Sequence, residues 1–369
     1  MSLQSEIDVK SKEIHTDGYP MSIGELITLY RDGEMDIHPE FQRFFRWSDM
    51  QKSRLIESIL LGIPIPSIFV SQREDGIWDV IDGLQRLSTI FEFVGELKGE
   101  DGEKIKASKL LRTEYLPSLK DKVWDGDDAN SSFTVAQRLV LKRAKLDIKI
   151  IKKQSDKDAK YELFQRLNTG GSSLSPQEIR NCLLVMVNVD FYKWLLDLSK
   201  FESFRNCIVL SERLTDEQYD VELALRFFVY KNSTMKEISE IKDIGDFITK
   251  KMLEFAQDDK FEYSVERIVF EKTFDVLNEI SGDDTFTKFD SDKKKFLGAF
   301  SISAYEVVAS GLGKNIKSYD NNKKNQSKLL NKIKQVWSED IYKEKSGSGL
   351  TAMRRLPHLI PLGDKIFKI

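Results

Sequence analysis

Cysteine is almost missing from this chain: Cys182 and Cys207 are the only two in 369 residues, each beside apolar neighbours. That excludes a disulfide scaffold and leads us to expect two buried, reduced thiols in a reducing compartment. Histidine is equally scarce, with His15, His38 and His358 isolated from one another, so no Cys/His zinc spacing can be assembled. No run of 18 apolar residues occurs, and Met1 to Lys12 is polar without the apolar stretch of a signal peptide. A cytoplasmic protein that neither crosses a membrane nor is exported is expected. Excess charge of one sign is also missing: 57 Lys plus Arg against 60 Asp plus Glu leave a formal net charge of -3, so any surface for nucleic acid must be local. There is no Gly-x-x-x-x-Gly-Lys-Ser/Thr loop, which excludes ordinary P-loop chemistry. The acidic stretch Asp125 to Asn130 falls short of a calcium loop, because Ala136 stands where a bidentate Glu is required.

What is present is the composition of a folded protein, 40% hydrophobic and 32% charged, in a chain long enough for two compact parts. The pattern predicts an α+β protein: a mixed domain over 15–187, then a mainly helical one over 188–369. Ile23, Leu26, Ile27 and Tyr30 have helical spacing, and Pro39 breaks the pattern. Ser48 and Gln51 form a capping box ahead of the buried stripe Leu55, Ile56, Ile59 and Leu60. Ser67 to Ser71 and Ile77 to Ile81 read as two strands joined by the turn Glu74-Asp75-Gly76. Asp82-Gly83 then turns the chain into a helix carrying Leu87, Ile90, Phe91 and Val94. Residues 95–132 read as an irregular excursion, 134–144 as a helix, 147–150 as a strand and 159–167 as a helix stopped by Asn168-Thr169-Gly170-Gly171. A second capping box, Ser175-Pro176-Gln177-Glu178, launches the next helix. Beyond it, 221–230, 241–255 and 296–308 read as helices separated by polar stretches. Ser346-Gly347-Ser348-Gly349 reads as a flexible turn presenting Arg354 and Arg355.

The turn at Asp82-Gly83 is the most informative place for chemistry. A helix that starts directly after a strand aims unpaired N–H groups and the positive end of its dipole outward, which makes it an anion site. Gly83 lets a ligand approach the backbone, Arg86 can offer a planar fork to phosphate oxygens, and Gln85 adds neutral donors and acceptors. Asp82 can cap the helix, hold a metal or bind a ribose hydroxyl. By shape alone a capped helix with a surface arginine explains the same residues. A basic run including Lys142, Arg143, Lys152 and Lys153, with the pair Arg354 and Arg355, offers weaker candidates for nucleic acid, against the alternative of a solvated charged face.

Ile37 to Arg43, Arg54 to Ile59, Gly62 to Pro66 and Ile81 to Arg86 together look like the N-terminal signature of the ParB/sulfiredoxin superfamily. More narrowly, they resemble its GmrSD-type branch, found in modification-dependent restriction and phage-defence systems. There the turn reads Asp-Gly-Gln-Gln-Arg; here Leu84 takes the third place. The segment from Phe164 to Arg180, with Arg166, Asn168 and Glu178, is similar to the family's downstream block. The resemblance covers residues 20 to 185 and implies a ParB-like α/β module that holds a nucleoside triphosphate with Mg²⁺, Gln42, Arg43 and Gly83 being among its phosphate contacts. If hydrolysis occurs, it implies that Asp82, Gln85 and Arg86 carry the chemistry, that Arg86 and Arg43 stabilise phosphate charge, and that Asp82 or Glu57 holds the metal. Relatives often add a His-Asn-His nuclease, which the three scattered histidines do not supply. The expectation is therefore a nucleotide-binding component that works with DNA and a separate nuclease or other defence protein. The alternative is a non-enzymatic DNA-binding or adaptor protein on the same fold.

Overall fold

The computed structural model describes residues 3–5, 15–37, 47–99, 101–152, 175–319, 323–347 and 349–369. The chain divides into two compact units, Met1–Ser173 and Leu174–Ile369.

The first unit is built on a mixed five-stranded sheet. Its described elements run β1 (Thr16–Ser22), α1 (Ile23–Arg31), β2 (Met35–Asp36), α2 (Asp49–Leu61), β3 (Ile68–Gln72), β4 (Trp78–Asp82), α3 (Leu84–Phe93), α4 (Val135–Arg143) and β5 (Lys145–Ile151). The strand order is β1-β5-β3-β4-β2. β3 and β4 form the expected antiparallel hairpin, while β3 pairs parallel to β5 and β2 parallel to β4. One face of the sheet carries Ile68, Val70, Val80, Leu146 and Ile148, all buried against Leu26, Ile56, Leu87, Ile90 and Phe91 from the helices. Tyr30 stacks on Phe91 with ring centroids 4.4 Å apart. Short polar side chains start three of these helices: Ser22, Ser48 and Thr134 each accept a first-turn N–H.

Residues 95–132 are irregular, as expected, but belong to the core, since Leu97, Leu110, Leu119 and Trp124 pack on it. Two polar groups of α2 hold them there. Ser53 Oγ accepts the Leu111 N–H at 2.8 Å, and Glu57 Oε1 accepts those of Tyr115 and Leu116 at 2.9 and 2.8 Å. The edge strands β1 and β2 were not expected. β1 is exposed along most of its length and β2 has two residues, so neither shows the alternation that marks a half-buried strand.

The second unit is mainly helical: α5 (Pro176–Val187), α6 (Val189–Ser199), α7 (Glu202–Ile208), α8 (Glu212–Asp216), α9 (Tyr219–Asn232), α10 (Met235–Ser239), α11 (Ile244–Gln257), α12 (Tyr263–Ile280), α13 (Ile302–Asn315), α14 (Lys323–Val336), α15 (Asp340–Lys345) and α16 (Ala352–Phe367). A small hairpin, β6 (Lys288–Asp290) and β7 (Lys295–Leu297), interrupts them. It overturns the start of the helix expected over 296–308, which begins at Ile302 behind its Ser301 cap. α13 and α16 touch backbone to backbone at Gly311 and Gly363, where a Cβ on either residue would collide with the other chain segment. No helix among the described residues is long and apolar enough to cross a membrane.

The division at 173/174 falls earlier than the expected 187/188, and a buried charge network accounts for it. Arg180 on α5, 3% exposed, donates to Glu222 on α9 at 2.8 Å and to Thr249 on α11 at 3.2 Å. Glu222 also accepts from Arg226, whose Nη1 donates to the Tyr230 hydroxyl at 2.8 Å. A second carboxylate, the fully buried Glu306 on α13, receives Arg355 through two bonds of 2.7 and 2.8 Å. α5 is thus anchored in the helical unit. Removing one member of such a network strands buried charge, at a cost of about 3–5 kcal/mol. Glu306→Gln is expected to lower the urea-unfolding free energy by about that much; a change under about 1 kcal/mol would show that solvent, not Glu306, compensates Arg355.

Candidate functional site

β4 runs to Asp82, and the next residue, Gly83, adopts φ 98° and ψ 11°, a left-handed conformation natural to glycine. A Cβ here would overlap Ile68 Cδ1, so glycine is required by both conformation and space. α3 starts at once, and unlike α1, α2 and α4 it has no side-chain cap. Asp82 therefore does not cap the helix. Its Oδ2 accepts from Arg86 Nη2 at 2.8 Å, one turn on.

Arg86 is turned inward, with 12% of its side chain exposed. Besides Asp82, its Nη1 donates to the main-chain oxygens of Pro66 and of Ser67, the latter at 3.2 Å. The guanidinium expected to grip phosphate is thus engaged with the fold, tying the loop before β3 to the end of β4. The pair cancels in charge, so the positive character of this turn is that of the start of α3, where the first-turn main-chain N–H groups and the positive end of the helix dipole lie. Gln85 sits half-buried on this first turn, its carbonyl receiving the Thr89 hydroxyl at 2.7 Å.

The other expected site residues fall in different places. Gln42, Arg43, Arg166, Asn168 and Lys153, like the helix expected over 159–167, lie outside the described residues. β2 runs parallel to β4, so Ile37, the last described residue before Gln42 and Arg43, follows β2 at the sheet edge where Asp82 ends. β5 is parallel to β3 and ends at the opposite edge, where Lys152 is the last described residue before Arg166 and Asn168. Glu178 belongs to the second unit, where its carboxylate accepts the Ser175 N–H at 2.7 Å in the expected capping box. Glu57 is 5% exposed and occupied by the Tyr115 and Leu116 amides, which makes it an anchor for the 113–116 turn rather than a metal ligand. No group of three or more His, Cys, Asp or Glu that could hold a metal ion occurs among the described residues.

The basic candidates are divided between the two units. Lys142 and Arg143 are exposed at the end of α4, with the Lys142 ammonium 5.8 Å from the Trp124 ring centroid. Lys152 pairs with Asp17 at 3.0 Å. Arg354 is exposed, but Arg355 is held by Glu306, and both sit on the first turn of α16 rather than in a flexible turn. One cluster escaped the sequence altogether: Arg73 bridges Asp36, at 2.7 Å, and Asp79, 5% exposed. Only the β2–β4 register, which sets Asp36 beside Asp79, brings the two carboxylates together.

Architecture and site together define an α+β domain with an uncapped strand-to-helix glycine turn, followed by a helical unit. Residues 23–185 match the family model for the GmrSD restriction endonuclease N-terminal domain, so this part of the chain is similar to a GmrSD-type N-terminal domain. The match indicates a component of a restriction or phage-defence system. The match runs through most of α5, past the division between the compact units. Searches of curated proteins and of solved structures found no match.

Glu57 yields a pH test. Burial pushes its carboxyl up, but hydrogen bonds from Thr113, Leu116 and Tyr115 outweigh this and hold it below its ordinary value. A carboxyl depressed in the folded state adds stability that is full above its unfolded pKa and is lost as pH falls through the folded one. The gap in unfolding free energy between wild type and Glu57→Gln, followed from pH 7 to pH 3, is expected to hold at neutral pH and close below about pH 4. A gap independent of pH would remove the ionised carboxylate from the account.

Proposed function

We propose that the GmrSD-type domain binds the phosphates of a nucleoside triphosphate, with Mg²⁺, at the start of α3. The observation that carries this reading is the combination of a helix N-terminus without a side-chain cap and a left-handed glycine directly before it, at the end of a strand. Main-chain amides of residues 84–86 act as the anion donors, Gln85 supplies side-chain hydrogen bonds, and Arg86 keeps the turn in shape through Asp82, Pro66 and Ser67. Arg43, in the segment that follows β2, is the proposed second source of positive charge. Binding rather than hydrolysis is the proposal, because Asp82 and Arg86, the two groups a hydrolytic mechanism would draw on, are committed to each other. In a defence system such a domain serves as a nucleotide-responsive component, with DNA cleavage left to a separate nuclease.

Titration of a fluorescent nucleoside triphosphate with Mg²⁺ tests this. Wild type is expected to bind saturably, and Gln85→Ala to bind about tenfold more weakly, the loss of one hydrogen bond to a charged group, with its melting temperature unchanged. Arg86→Ala is expected to lose both binding and thermal stability. A wild-type protein that binds no nucleoside triphosphate, yet binds DNA in a salt-dependent way, would replace this reading with that of a DNA-binding adaptor.

A further inference from the structure

The helical unit contains a cavity of about 550 Å³, within the size range of small-molecule sites. Its wall is assembled from α7 and the turn after it, α8, the first turn of α9, and the end of α12 with the following 3₁₀ turn. Ile208 and Leu210 give it an apolar side, and Asn206 and Asn278 give it amide groups. The distinctive group is Asp220, a carboxylate 9% exposed that lines the cavity from the start of α9. One of its oxygens accepts the Val221 N–H at 3.0 Å. Among the described residues, no lysine or arginine nitrogen lies within the 4.0 Å of an ion pair with it.

An ionised carboxylate held away from water without a cation is costly, which is why buried acids are normally paired. Two buried acids of this unit follow that rule: Glu222 has Arg180 and Arg226, and Glu306 has Arg355. Asp220 departs from it, and burial pushes its carboxyl above the ordinary range. The negative ends of two helices, α7 and α12, also meet the cavity, and Asp283 stands exposed on its rim. Arg205 and Lys200 pull the Asp220 carboxyl back down from a distance, but burial outweighs them and no cation among the described residues reaches ion-pair distance. We propose that this cavity binds a small organic cation, an ammonium or guanidinium compound, whose charged group pairs with Asp220. Arg205, exposed at the same wall, is placed to receive a carboxylate at the ligand's other end, so amino-acid-like zwitterions belong to the class. This inference does not rest on the α3 site, which lies in the other unit.

Calorimetric titration of the full chain with agmatine and with L-arginine tests it. Both probes are expected to bind wild type saturably, and Asp220→Asn to weaken both at least tenfold. The Asn oxygen can still accept the Val221 amide, so the melting temperature of that variant is expected to stay at the wild-type value. Arg205→Gln is expected to weaken L-arginine alone, since agmatine has no carboxylate. If neither probe binds the wild type, or if Asp220→Asn binds both as tightly as wild type does, the proposal is overturned. The wild-type titration decides even if the variant fails to fold.

Discussion

The inward-turned guanidinium of Arg86 fixes the geometry on which the first unit's site depends. It joins three pieces of chain: the end of β4 through Asp82, the loop before β3 through Pro66 and Ser67, and α3, which carries it. A planar fork of donors in fixed directions is what such a three-way joint needs, and lysine, with a single flexible ammonium, would not reproduce it. The joint also consumes Asp82, the residue placed to cap α3, and so leaves the helix start without a side-chain acceptor. The ion pair and the uncapped helix start thus have one cause. Because Arg86 and Asp82 neutralise each other, the proposed affinity of the turn for phosphate rests on main-chain dipoles, which are directional and cost little to organise once the turn is built.

The second unit is organised by a different electrostatic solution. Three arginines, Arg180, Arg226 and Arg355, share two buried carboxylates, Glu222 and Glu306, with the Tyr230 hydroxyl accepting a further donor. Such networks are satisfied only when every member is in place, so they define one packing of the helices and disfavour others. That is why α5, most of which falls within the GmrSD-type match, is bound into the helical unit. Against this background Asp220 is a buried acid that has no cation at ion-pair distance among the described residues.

Much of the first unit was legible in the sequence because its signals are local. The capping boxes at Ser48 and Ser175, the β3–β4 hairpin and the glycine turn at Gly83 each depend on neighbours within a few residues, and each is found where the pattern set it. What escaped the sequence depends on register or on distant contacts. The strands β1 and β2 have no internal periodicity, and the Asp36–Arg73–Asp79 cluster exists only through the β2–β4 pairing. Glu57 illustrates the same limit at a candidate site: a carboxylate on a helix suggests a metal or solvent, and nothing local shows that the amides of Tyr115 and Leu116, 58 and 59 residues away, will claim it. Arg86 was expected to offer its fork to phosphate, and it is instead turned to carbonyl oxygens 19 and 20 residues upstream, to which a sequence motif gives no clue.

The central claim is that main-chain amides at the start of α3, rather than the Arg86 side chain, receive the phosphates. Amide hydrogen exchange on peptides spanning 82–87, with and without a nucleoside triphosphate and Mg²⁺, tests it most directly. The account predicts that bound nucleotide slows exchange at Leu84, Gln85 and Arg86 well beyond any change elsewhere in the unit. Saturable binding that leaves these amides exchanging at their free rate would contradict it.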